Sequence, residues 1–143
     1  GLFARIGERI AIPNDASRIT ILVPSGYRRD GRLVEFISLV ELREVTPDVI
    51  TGVYTRVIKA FPDVEFGFHL HSLPGREYDL IDAAWKAGVR RFDTVTGGFG
   101  GCPMAHDEMV GNLNTFALID YCNKNAIEHG LDVEVLKQSE REM

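Results

Sequence analysis

Two histidines two residues apart are the feature of this 143-residue sequence best suited to metal chemistry. His69 and His71 lie in an apolar run, and residues two apart on a β-strand point to the same face of the sheet. Both imidazoles can then reach one metal ion. The alternative is a pair of histidines that bind no ligand, because a His-x-His pattern alone is only a moderate signal for a metal site.

A cysteine and an asparagine follow further along the chain. Cys102 stands in the run Gly100-Gly101-Cys102-Pro103. A loop thiol beside a cation ionises more readily and can exchange protons, whereas a loop thiol without such a neighbour is inert. Asn112 follows Gly111, just before a predicted helix. Its amide oxygen is either a metal ligand or part of a turn or helix cap.

Alternating strand and helix patterns must position these residues. Short apolar runs predict strands at Ile19–Val23, Leu33–Leu39, Val64–Leu70 and Val89–Phe92. Helix patterns begin after Thr46, cover Arg76 to Ala87, and run from a Thr115 cap to about His129; the charged tail after Val135 is expected to fray. This order predicts an α/β fold of βα units with a parallel sheet. In such folds the chemistry lies at the carboxyl ends of the strands.

Composition excludes several classes of protein. The chain is 45% hydrophobic and 26% charged, which is typical of one ordinary domain over residues 1–143. A net charge of −5 argues against nucleic acid as a partner. No apolar run approaches the roughly 20 residues that span a membrane. The two cysteines, of which Cys122 is expected in the core, suggest no disulfide framework, so the cytoplasm is the default location.

Four segments together resemble the 3-hydroxy-3-methylglutaryl-CoA (HMG-CoA) lyases, which belong to the metal-dependent lyase and aldolase TIM barrels. They are Phe66-Gly67-Phe68-His69-Leu70-His71, Arg91-Phe92-Asp93, Gly98-Phe99-Gly100-Gly101-Cys102-Pro103-Met104-Ala105 and Gly111-Asn112-Leu113-Asn114-Thr115. The resemblance is strongest over residues 61–121. It implies a partial (half) TIM barrel, with βα units over residues 33–135 and a divergent N-terminal segment over residues 1–32.

The resemblance also assigns roles. His69, His71 and Asn112 match the family's ligands to a divalent cation, usually magnesium or manganese, with zinc possible. Cys102 matches its acid–base cysteine. These enzymes cleave HMG-CoA to acetyl-CoA and acetoacetate, so an acyl-CoA substrate is implied. The sequence identifies no residues that bind the CoA group.

Two further matches depart from the family pattern. Arg29 and Asp30 resemble its catalytic arginine and metal-ligand aspartate; the alternative for this pair is a solvated turn. Glu41 stands where the family has a catalytic aspartate, and its carboxylate is one methylene further from the backbone.

The chain of 143 residues is too short for a complete barrel of this type, which needs about 250 residues. We therefore expect a lyase whose barrel is completed by a second copy, by a partner half barrel, or by sequence absent from this chain. The alternatives are a non-catalytic metal-binding or assembly remnant of the barrel, and a related metal-dependent aldolase.

Overall fold

The computed structural model describes residues 20–21, 26–29, 32–39, 45–72, 74–98 and 111–142. Its strands are β1 (Thr20–Ile21), β2 (Gly26–Arg29), β3 (Arg32–Leu39), β4 (Glu65–Ser72), β5 (Arg91–Asp93) and β6 (Gly111–Asn112). Its helices are α1 (Pro47–Ala60), α2 (Glu77–Lys86), α3 (Thr115–Lys124) and α4 (Val133–Arg141), and a 3₁₀ turn spans Thr96–Gly98.

Three parallel strands form the centre of the sheet, in the order β3-β4-β5. Helix α1 connects β3 to β4, and helix α2 connects β4 to β5. The register aligns Ser38, His69 and Asp93 across the three strands. The predicted α/β fold of parallel βα units is confirmed here, and the carboxyl ends of the strands meet at one edge.

The other strands make the sheet mixed rather than purely parallel. β1 and β2 are both antiparallel to β3, and β6 is antiparallel to the end of β4. Only two residues separate β2 from β3, and so short a connection permits an antiparallel pair but no helical crossover. The sequence predicted neither β2 nor β6.

Helix α1 forms where its sequence predicts it. The Thr46 side chain accepts a hydrogen bond from the Val49 N–H at 3.4 Å, and Pro47 occupies the first turn. The apolar face is buried at Ile50 and Tyr54. This face packs against the sheet, where the rings of Tyr54 and Phe68 meet edge to face at 5.6 Å between centroids.

The two C-terminal helices differ from the prediction. The cap of α3 is Asn114, whose side chain accepts from the Phe116 N–H at 2.8 Å. Thr115 is instead buried and donates to the hydroxyl of Thr94 at 3.0 Å. Helix α3 ends at Lys124 rather than near His129, and the tail forms α4 rather than fraying.

A cap explains why the charged tail is helical. The Asp132 carboxylate accepts hydrogen bonds from the N–H groups of Glu134 and Val135, both at 3.1 Å.

In the described part of the chain, no helix combines the length and the apolar composition needed to cross a bilayer.

Candidate functional site

Alternation along β4 separates a packing face from a polar face. Phe66, Phe68 and Leu70 are buried in the core. His69 and His71, at the intervening positions, are partly exposed on the opposite face. The strand therefore presents both imidazoles together, as the His-x-His pattern predicts.

The two histidine rings lie close enough to share one ion. Their centroids are 5.1 Å apart, with 66° between the ring planes. Imidazoles bound at about 2.1 Å to one ion place their centroids roughly 5 Å apart. Nδ1 of His71 is buried and has no hydrogen-bond partner among the described residues. Burial lowers the pKa of His71, and the neighbouring His69 lowers it further, which favours the neutral imidazole that metals bind.

Strand β6 places the backbone of Asn112 beside the end of β4 that carries the two histidines. Its Cα is the register partner of His71, and the following Leu113 N–H donates to the Leu70 carbonyl at 3.1 Å. Gly98 packs against the same backbone with φ of 65°, where an added Cβ would lie 3.3 Å from the Asn112 carbonyl oxygen. The sheet edge and the 3₁₀ turn thus fix where Asn112 lies.

Asp93 is a polar neighbour of the site for which the sequence patterns predict no role. Its Oδ2 lies 3.5 Å from Nδ1 of His69, and its Oδ1 lies 3.6 Å from a guanidinium nitrogen of Arg91. The signal that identifies it is its place at the carboxyl end of β5, in the same register position as His69 on β4.

The backbone of Arg29 lies at the other end of the sheet from this site. Arg29 ends β2 and pairs with Arg32, at the amino end of β3, whereas Ser38 is the β3 residue beside His69. Ser38 follows Arg32 by six positions, which along an extended strand is about 20 Å between the two Cα atoms.

Three other predicted site residues lie outside the described residues: Asp30, Glu41 and Cys102. Among the described residues, no three His, Cys, Asp or Glu side chains group as metal ligands. The donors that the described residues offer are therefore two imidazoles, and the backbone of Asn112 pairs with that of His71.

Relatives of known function are similar to this chain over about two thirds of its length. The (R)-citramalyl-CoA lyase of Chloroflexus aurantiacus is 33% identical over 90 residues, which are 63% of this chain and 28% of that protein. The HMG-CoA lyase of Pseudomonas mevalonii is 28% identical over 92 residues, which are 64% of this chain and 30% of that protein. No protein-family model matches the chain.

Solved structures agree with these relatives. The HMG-CoA lyase of Brucella melitensis superimposes with a TM-score of 0.64 at 29% identity, over 74% of this chain and 37% of that one. The HMG-CoA lyase of A. baumannii, solved with coenzyme A and 3-methylmalate, gives a TM-score of 0.59 at 31% identity, over 68% of this chain and 32% of that one.

The chain therefore spans about a third of the length of the relatives and structures that it matches. The expected partial TIM barrel is confirmed by these structural neighbours. The predicted resemblance to the HMG-CoA lyases is likewise confirmed by these relatives and structures.

Proposed function

We propose that this chain supplies the metal-binding part of a carbon–carbon lyase that cleaves a 3-hydroxyacyl-CoA and releases acetyl-CoA. The observation that carries the proposal is the placement of His69 and His71 on one face at the carboxyl end of β4, with Asn112 paired to His71. This is the edge of a parallel sheet at which barrel enzymes hold their chemistry.

A divalent cation fits the described residues. The unpartnered, buried Nδ1 of His71 and the 5.1 Å between the two ring centroids match the needs of a shared ion. His69, His71 and Asn112 would hold it, and their mixture of nitrogen and oxygen donors suits manganese or magnesium, with zinc as a further possibility. Such a cation, when bound, stabilises the negative charge that develops on the substrate's hydroxyl oxygen.

The chain's own side chains would move the protons. A base takes the hydroxyl proton, and Glu41 is the candidate for this role. The bond between the second and third acyl carbons then breaks, leaving a carbonyl on one product and the enolate of acetyl-CoA on the other. The Cys102 thiol would give its proton to that enolate carbon, which completes acetyl-CoA. Both roles rest on the resemblance to the lyases.

The proposed substrate class is taken from the substrates of the two relatives, citramalyl-CoA and HMG-CoA. HMG-CoA and citramalyl-CoA are both acyl-CoA thioesters with a tertiary hydroxyl on the third carbon. Cleavage beside that carbon releases acetyl-CoA from either compound. We propose this class of substrate for the chain, and assays with the two compounds distinguish which acyl group it prefers.

The remaining barrel must come from elsewhere. The chain spans about a third of its relatives, and we propose that a second copy, a partner half barrel or further sequence completes the enclosure. An edge strand favours such pairing, because it presents free backbone donors and acceptors.

The test is acetyl-CoA release by the full chain with Mn²⁺ and either HMG-CoA or citramalyl-CoA. We expect release from one or both, reduced by about 100-fold or more in His71→Ala and in Cys102→Ser. His129→Ala is the matched control, because it removes an imidazole outside the proposed site. Release that persists with a chelator, or that is equal in His71→Ala, would overturn the proposal.

A second candidate is a non-catalytic metal-binding or assembly module. The short span of the chain relative to the lyases favours it. A folded chain that binds Mn²⁺ but releases no acetyl-CoA from either compound would support this module over the enzyme. Cleavage of 3-hydroxy acids that lack CoA would instead indicate a related metal-dependent aldolase.

A further inference from the structure

The side chain of Asp93 contacts the ring of His69, in addition to the backbone pairing of the two strands. The two residues occupy the same register position on β5 and β4, so their side chains leave the sheet on the same face. Asp93 Oδ2 lies 3.5 Å from Nδ1 of His69. Nδ1 is therefore the ring nitrogen that faces a carboxylate.

Arg91 holds the same carboxylate from the other side. Its guanidinium lies 3.6 Å from Asp93 Oδ1, and its side chain is only 20% exposed. Asp93 is thus placed between a largely buried cation and an imidazole, which restricts the positions that the carboxylate can take. A carboxylate held in this way favours a proton on the imidazole nitrogen that faces it.

We propose that Asp93 is a positioning residue for His69: it keeps the proton on Nδ1 and so leaves the lone pair on Nε2 to face a cation. The inference rests on the proposed function, because it names which nitrogen of His69 would bind the ion. A metal-binding histidine commonly turns its other ring nitrogen to a carboxylate in this manner, which fixes both tautomer and ring orientation.

A purely structural role for Asp93, as the partner of Arg91, makes a different prediction. In that case the loss of the carboxylate would lower stability but leave the His69 tautomer unchanged. The tautomer is therefore the readout that separates the two roles. It can be measured on the full chain without metal, so it does not depend on the proposed function.

The experiment compares the wild-type chain with Asp93→Asn and Asp93→Ala by long-range ¹H–¹⁵N NMR of the histidine rings at pH 8, followed by Mn²⁺ titration of each. His69→Gln identifies the resonances of His69. Asp63→Asn is the matched control, because Asp63 is an exposed carboxylate in the turn before β4, at the opposite end of that strand from His69.

We expect the wild-type ring of His69 to carry its proton on Nδ1, and both Asp93 variants to shift it toward Nε2, the position that free histidine prefers. We expect Mn²⁺ affinity to fall about tenfold in the same variants and to stay unchanged in Asp63→Asn. A wild-type proton on Nε2, or an Nδ1 proton retained in both Asp93 variants, would overturn the inference. The expected tautomers without any Mn²⁺ binding by the wild type would support the orientation of His69 and overturn the proposed metal site.

Discussion

The two histidines of the site have different surroundings although only Leu70 separates them. Nδ1 of His69 faces a carboxylate, whereas Nδ1 of His71 is buried without a hydrogen-bond partner among the described residues. Leaving a buried polar atom unpaired costs about 1–3 kcal/mol, so such an atom indicates a missing partner. The asymmetry fits one histidine oriented from within the sheet and one whose polar partner is absent from the described part of the chain.

A buried tyrosine supports the strand that carries these histidines. The Tyr54 hydroxyl donates to the Gly67 carbonyl at 3.0 Å, and this hydrogen bond is buried between α1 and β4. Burial raises the pKa of Tyr54 well above its usual value, and the nearby Asp93 adds to the shift, so the hydroxyl remains a donor at neutral pH.

Removal of this hydroxyl in Tyr54→Phe is expected to lower the free energy of unfolding by about 1 kcal/mol, because the Gly67 carbonyl loses a buried donor. Urea denaturation measures the change. Tyr78→Phe is the matched control: its hydroxyl accepts from Asn125 at 3.1 Å on the exposed surface, so the expected change is within about 0.5 kcal/mol. Equal losses in the two variants would contradict the importance of the buried bond.

At the scale of elements, the site depends on short segments that only tertiary contacts stabilise. Helix α1 and strand β4 were predictable, since Thr46, Pro47 and the alternating apolar residues of β4 are local signals. The two-residue strand β6 was not, because it exists only through its pairing with the end of β4. The contact of Asp93 with His69 depends likewise on the register between two strands, which no local pattern reveals.

The helix boundaries that sequence analysis misplaced have a similar cause. Asn114 and Thr115 are both good capping residues, and the burial of Thr115 against Thr94 decides between them. The early end of α3 follows from Ala126, which adopts a positive φ of 54° and so cannot continue the helix toward His129.

Substitution of Gly98 tests whether the 3₁₀ turn positions Asn112. In Gly98→Ala, the positive φ of 65° and a Cβ only 3.3 Å from the Asn112 carbonyl oxygen must both be accommodated. We expect a loss of about 1 kcal/mol or more in unfolding free energy, and weaker Mn²⁺ binding as Asn112 shifts. Urea denaturation and metal titration measure the two effects.

Gly52→Ala provides the control for this glycine. Gly52 lies in α1, and an added Cβ would meet nothing within 4 Å. Alanine should therefore stabilise the helix by about 0.5–1 kcal/mol and leave Mn²⁺ affinity unchanged. If Gly98→Ala is as stable as the wild type and binds Mn²⁺ equally well, the turn does not position Asn112.

Across the whole sheet, the polar face is partly exposed to solvent at His69 and Asp93. The side chains of His69 and Asp93 are 39% and 32% exposed, whereas the opposite face of β4 is packed against α1. The part of this chain that matches the lyases corresponds to less than a third of their length. Catalysis as proposed requires further βα units to enclose this face, while His69, His71 and Asn112, the proposed metal ligands, belong to this chain.

Calorimetric titration of the full chain with Mn²⁺ measures directly whether His69 and His71 bind a divalent cation. We expect one ion per chain, with affinity at least tenfold weaker in His69→Ala and in His71→Ala and unchanged in His129→Ala. Binding that is absent from the folded wild-type chain, or equally strong in all four proteins, would contradict it.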